Sequence, residues 1–171
     1  DSGLRARAVE SHKAWMDAAK TLGCEVVRAN ASGDGNPDDL RGRMADSAAQ
    51  LAEYGSGIGI SFVIENHGGP SSDPDWLTRL LAEVDSPWFG ALPDFGNFPG
   101  SVDKYDAVRR MMPYAKAVSA KTGRFDDAGN DLGTDYPRMM RIVLDEGYRG
   151  FVGVESGASS AEGEPEAIRK T

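Results

Sequence analysis

The sequence predicts an α/β fold built on a parallel sheet, and three observations carry that prediction. Short apolar runs, CEVVRAN, GISFVIE, SPWFGAL, AKAVSAK and GFVGVE, recur roughly 30 residues apart, a spacing suited to right-handed βαβ crossovers. Between them lie segments whose apolar residues repeat at helical spacing. Asparagine or aspartate followed by proline, at Asn36–Pro37 and Asp73–Pro74, marks where two of those helices begin. No repeat, low-complexity tract or linker interrupts the alternation, so residues 1–171 are expected to form a single domain. Alternation alone does not separate an open doubly wound sheet from part of a barrel. No G-x-G-x-x-G follows the first strand, so a dinucleotide-binding fold has no positive support.

In chain order, Leu4, Ala8, Trp15, Ala19 and Leu22 form the expected buried stripe of a first helix, with His12 on the same stripe and Gly23 as its stop. CEVVRAN then reads as a short buried strand. Cys24, the single cysteine, excludes an internal disulfide and any cysteine-rich zinc site, and is expected to pack as a small buried residue. Leu40, Met44, Ala48 and Leu51 are the stripe of the next helix, closed by Gly55 and followed by GISFVIE. Trp76, Leu77, Leu80, Leu81 and Val84 mark the helix before SPWFGAL, with Trp76 in the core alongside Trp15. Helices around Tyr105, Val108 and Met112, and around Tyr136, Met139, Ile142 and Val143, precede AKAVSAK and GFVGVE, the second closed by Gly147. The final GEPEAIRKT begins another helix.

Composition narrows the function. With 19 basic against 27 acidic residues and a net charge of -8, the surface repels phosphate backbones, and no basic patch overrides it. No apolar run approaches the roughly 20 residues that span a bilayer, and DSGLRARAVE has no signal-peptide pattern, so cytoplasmic residence is the default expectation.

The chemistry-bearing residues fall at strand ends. Glu65 closes FVIE, Asp94 closes WFGALPD and Glu155 closes FVGVE. In a parallel sheet these ends share one face, where α/β folds place their active sites. Three converging carboxylates repel one another, and a divalent cation relieves that repulsion; oxygen donors favour Mg²⁺ or Mn²⁺. His67, in the loop Asn66–Gly69, is placed either to meet a substrate or to bond local backbone. Arg28 and Asn30 end the first strand on the same face, as sugar or phosphate contacts or, for Arg28, as one half of an ion pair. Asn97 organises its loop or touches substrate, and Lys121 can polarise a carbonyl or pair with the acids.

IENHGG, LPDFGNF, the VSAK strand end and GFVGVE, in this order, resemble the xylose-isomerase-like TIM-barrel superfamily, in its sugar phosphate isomerase/epimerase branch, over essentially the whole chain. The resemblance implies a (β/α)8 TIM barrel, here a partial barrel of about five parallel strands. The first three barrel strands would be missing and the last helix cut short. It assigns Glu65, Asp94 and Glu155 as ligands of a divalent metal. The family's histidine ligand, in a His-x-Lys-Asp pattern, is replaced by Ser119 in Ser119–Thr122, although Lys121 is kept. His67 or Asp126 would then be the substitute donor. The implied activity is a metal-dependent sugar isomerase or epimerase on a small-molecule substrate, with Glu65 and Glu155 transferring a proton through an enediolate. A dehydratase on a keto-sugar or inosose uses the same parts, and a non-catalytic carbohydrate-binding barrel is the alternative from another class. An abasic-site endonuclease fits poorly with two histidines and net negative charge. Homo-oligomerisation stays open.

Overall fold

A computed structural model describes residues 2–156 together with Pro165, Ile168 and Arg169. The helix expected in GEPEAIRKT therefore falls mostly outside the described residues. The chain runs α1 (Ser2–Thr21), β1 (Val26–Asn30), α2 (Pro37–Ile58), β2 (Ser61–Glu65), α3 (Pro74–Val84), β3 (Phe89–Leu92), α4 (Lys104–Met111), β4 (Val118–Thr122), α5 (Tyr136–Asp145) and β5 (Val152–Ser156), with 3₁₀ turns at Gly69–Ser72 and Met112–Tyr114. All strand pairs are parallel, β1 to β2 to β3 and β4 to β5. Isolated parallel bridges Ala91–Ala115 and Asp94–Ser119 stitch β3 to β4, so the described strands form one open arc.

The helices start where the sequence provides a side-chain acceptor. The Asn36 side-chain Oδ1 accepts from the Asp38 N–H at 2.8 Å, and Asp38 and Asp39 complement the positive end of α2. Asp73 caps α3 in the same way, accepting from Asp75 and Trp76. Trp76 is 5% exposed, and its indole N–H donates to the Pro37 carbonyl at 2.8 Å, tying α3 to the start of α2. Leu77, Leu80 and Leu81 are buried beside it. Each such side chain contributes about 1.5–3 kcal/mol on leaving water.

One hydrophobic cluster lies between α1–α3 and β1–β3, a second between α4–α5 and β4–β5, and Phe98 packs against both. In β2, Phe62 and Ile64 join the first cluster, which leaves Val63 and Glu65 on the opposite face. Register carries that face across the arc: Arg28 pairs with Val63, Glu65 with Leu92, Asp94 with Ser119, and Lys121 with Glu155.

Four expectations are corrected. Helix α1 buries Val9 and Met16, whereas Leu4, Leu22 and Trp15, the last 68% exposed, stand in solvent. The expected stripe is real in spacing, but α1 turns an adjacent face to the core. Strand β1 lies at the edge of the arc and is only half covered, not buried. Cys24, just before it, is exposed rather than packed. Finally, α2 does not stop at Gly55; it continues to Ile58 and ends on Gly59, whose φ of 74° suits a left-handed cap.

Gly55 has a different task. It is buried where the chain doubles back, its carbonyl accepting from the N–H groups of Gly59 and Ile60. A Cβ there would lie 2.2 Å from the Ile60 carbonyl oxygen and 2.9 Å from the Met16 methyl. We expect Gly55→Ala to cost about 1–3 kcal/mol despite alanine's better helix propensity, because the neighbouring atom is backbone. Urea denaturation measures it; an unchanged midpoint would show that the turn has room.

Among the described residues, no helix is long and apolar enough to cross a membrane.

Candidate metal centre and active site

Glu65, Asp94 and Glu155 meet at the C-terminal edge of the arc, each offering a carboxylate oxygen, with all three within 4.8 Å of one another. They come from the end of β2, the turn after β3 and the end of β5. Sequence separation across three crossovers is thus converted into contact by strand register alone.

Asp94 is fully buried and structurally committed. Its Oδ1 accepts from the backbone N–H groups of Gly96 and Asn97, each at 2.8 Å. Its backbone exchanges two hydrogen bonds with the Asn66 side chain: the Asp94 N–H donates to Asn66 Oδ1 at 2.7 Å, and Asn66 Nδ2 donates to the Asp94 carbonyl at 3.1 Å. The other oxygen, Oδ2, accepts from the Ser119 hydroxyl at 2.7 Å. The turn delivers Asn97, whose Nδ2 donates to Glu65 Oε1 at 3.1 Å.

Glu65 is 1% exposed. Its Oε2 lies 2.5 Å from the Arg28 guanidinium but has no hydrogen bond of good alignment. Burial pushes its carboxyl above the ordinary glutamate range; Arg28 pulls the other way and Asp94 adds to the rise. Glu155 has the opposite environment. It is nearly half exposed, accepts from Lys121 Nζ at 2.6 Å, and is held below the ordinary range by that hydrogen bond. Lys121 loses to burial but is raised overall by Glu155 and by the charge of Asp94. Gly96 leaves space for the Lys121 stem, since a Cβ there would approach its Cδ to 3.0 Å. Arg28, Glu65, Leu92, Ser119, Phe151 and Glu155 border a cleft of about 360 Å³.

The other candidates separate. His67 is exposed in the loop after β2; its backbone N–H donates to Ser71 Oγ, and its charge would lower both Glu65 and Glu155. It therefore stands near the cluster without joining the group of meeting ligand atoms. Asn30 is the register partner of Glu65 and also lines a different cavity, against α1 and α2. Asp126 is removed as a substitute ligand: its carboxylate closes a local turn, accepting from Ala128, Asn130 and the Asn130 amide. His12 is half-buried, bonded to the Ala8 carbonyl and packed edge-on against Phe62 in the helix layer. Two residues read only as loop or core turn out to shape the site. Asn66 braces Asp94, and the Tyr136 hydroxyl donates to the Lys121 carbonyl at 2.7 Å, fixing the end of β4. Adjacency to Glu65 was the available signal for Asn66; Tyr136 gave none beyond its helical spacing.

The residues fit a divalent cation. Oxygen donors converge, two of them are buried, and one buried carboxylate oxygen lacks a well-aligned donor.

A parallel αβ arc whose side chains gather at the C-terminal ends of its strands is built as one side of a (β/α)8 barrel. The chain matches the Xylose isomerase-like TIM barrel family over residues 1–171 and belongs to it. Fructoselysine 3-epimerase of Escherichia coli O157:H7 is 22% identical over 173 residues, covering 91% of this chain and 61% of that protein. The chain thus spans about three fifths of the length of this curated relative. Among solved structures, a D-tagatose 3-epimerase-like protein superposes with a TM-score of 0.80 at 17% identity, over 99% of this chain and 68% of the other. A Xylose isomerase-like TIM barrel protein from Mycobacterium smegmatis in complex with magnesium gives 0.69 at 20% identity, over 96% and 67%.

Proposed function

We propose that the intact protein is a divalent-metal-dependent sugar isomerase or epimerase that moves a proton on a carbon next to a carbonyl. The observation that carries this reading is the convergence of Glu65, Asp94 and Glu155 within 4.8 Å at parallel strand ends. The names of the similar proteins, fructoselysine 3-epimerase and a D-tagatose 3-epimerase-like protein, point to ketose substrates and to carbon 3.

Glu65, Asp94 and Glu155 would hold the cation, and an oxygen donor set favours Mg²⁺ or Mn²⁺. When bound, the cation supplies a Lewis acid that polarises the substrate carbonyl. The two glutamates divide the proton work. Glu155, paired with Lys121 and half exposed, is suited to accept the proton, and Glu65, whose carboxylate meets it in the same cluster, to return one. Arg28, Lys121 and Asn97 already hold the carboxylates and have donors to spare for sugar hydroxyls, with His67 at the rim. Asn30, the register partner of Glu65, remains with them as a proposed sugar contact.

The test is solvent exchange. With Mn²⁺ and ketohexoses in D₂O, deuterium is expected at carbon 3, seen by proton NMR, and absent with Glu155→Gln. Tight Mn²⁺ binding with no exchange on any ketose would remove the proton-transfer reading.

A further inference from the structure

The position that in the resembling family carries an imidazole here carries a hydroxyl, and the structure shows where that hydroxyl sits. Ser119 Oγ is 2.7 Å from Asp94 Oδ2 and 3.4 Å from Glu155 Oε2, between two of the three meeting carboxylates. Its single proton serves one of them at a time, so lone-pair capacity on Oγ remains for a cation. No nitrogen or sulfur donor takes its place. The chain has two histidines and one cysteine in all. His12 packs on Phe62, on the helix side of the sheet, and Cys24 lies before the first residue of β1, at the far end of the strand from the carboxylates. His67 stays outside the meeting group. Every donor that reaches the centre among the described residues is therefore oxygen.

We propose that Ser119 sets the cation preference of this site: it makes an oxygen-only centre that distinguishes Zn²⁺ only weakly from Mn²⁺. This inference rests on the metal-site reading above. The physical basis is ligand type. Carboxylate, hydroxyl and water suit hard ions, whereas imidazole adds selectively to the binding of Zn²⁺ and its neighbours in the series. A histidine at 119 would project from the same inward-facing position of β4, beside Asp94 and Glu155, and add that nitrogen.

The experiment is a pair of equilibrium titrations, Mn²⁺ and Zn²⁺ each in competition with a fluorescent chelator, on the wild-type chain, Ser119→His, Ser119→Ala and Glu155→Gln. Circular dichroism confirms the folding of each. Ser119→His is expected to tighten Zn²⁺ by about 10- to 100-fold, the scale on which altering a metal site's immediate partners moves affinity, and Mn²⁺ by much less. Ser119→Ala should weaken both modestly and leave their ratio unchanged. Equal tightening of the two ions in Ser119→His, or none, overturns the role of Ser119 while leaving the carboxylate site standing. Failure of the wild-type chain to bind either ion, or binding unaffected in Glu155→Gln, overturns the metal site itself.

Discussion

Glu65→Gln is expected to lower turnover by about 100- to 10,000-fold, the range set by loss of a positioned proton-transfer group, and at the same time to make the metal-free protein more stable at neutral pH. The two effects have one cause. Glu65 is buried, and burial raises its carboxyl above the ordinary glutamate range despite Arg28. A group whose folded pKa exceeds its unfolded value binds more protons in the folded state between those two values. Its contribution to stability is therefore complete below the ordinary glutamate range and is lost as pH rises through the raised value. Glutamine, neutral throughout, escapes that loss. Arg28, left without its partner, is 42% exposed in its side chain and is rehydrated. Denaturant midpoints at about pH 4 and pH 7 check the sign: the stabilising effect should appear at the higher pH and vanish at the lower. Glu155→Gln should behave differently, because Glu155 is held low by Lys121 and half exposed; the pair contributes about 0–1 kcal/mol. If Glu65→Gln retains full turnover, Glu65 leaves the mechanism. If it destabilises at neutral pH, Arg28 dominates burial.

Much of this was legible because the signals were local. Asn36–Pro37 and Asp73–Pro74 start helices by their own side-chain and ring chemistry, whatever surrounds them. Glu65, Asp94 and Glu155 were recognisable because parallel strands put their ends on one face without further information. The errors share a different character. Trp15 and Trp76 look alike in sequence, each within an apolar helical stripe, yet Trp76 is covered and Trp15 is not. Periodicity defines a face of a helix; what packs against that face is decided by distant chain. Cys24 and Gly55 failed for the same reason, one placed by the edge position of β1 and the other by the close return of Ile60. Asn30 and Arg28 share one side of a strand, yet it is Arg28, one pair back in the register, whose guanidinium meets Glu65, while Asn30 is the direct register partner of Glu65. The brace from Asn66 to the backbone of Asp94 required both ends of a contact 28 residues apart.

Asp94 is where folding and function are least separable, and Asp94→Ala is the substitution expected to damage both. The carboxylate is fully buried and accepts from Gly96 N–H, Asn97 N–H and the Ser119 hydroxyl. Removing it strands three donors at once. A hydrogen bond to a charged acceptor is worth about 1.5–3 kcal/mol, and water can reach the half-open rim of the turn, so a net cost of about 3 kcal/mol is expected. The damage should travel along a defined route. When the turn loosens, Asn97 no longer presents Nδ2 to Glu65, and the backbone of residue 94 slips from Asn66. Asp94→Asn separates the two roles. Its carbonyl oxygen can still accept from Gly96 and Asn97, and its amide can donate to Ser119 Oγ, which then turns its own proton to Glu155. That variant should lie within about 1 kcal/mol of the wild-type protein in urea, since a neutral acceptor keeps most of the turn. It should nonetheless lose Mn²⁺ affinity, because one of the three charges that attract the cation is gone. Equal destabilisation by alanine and asparagine would place the structural role in the charge of Asp94 rather than in its turn geometry. A stable Asp94→Ala chain would show that Asn66 alone holds the loop and that Asp94 is kept for the metal.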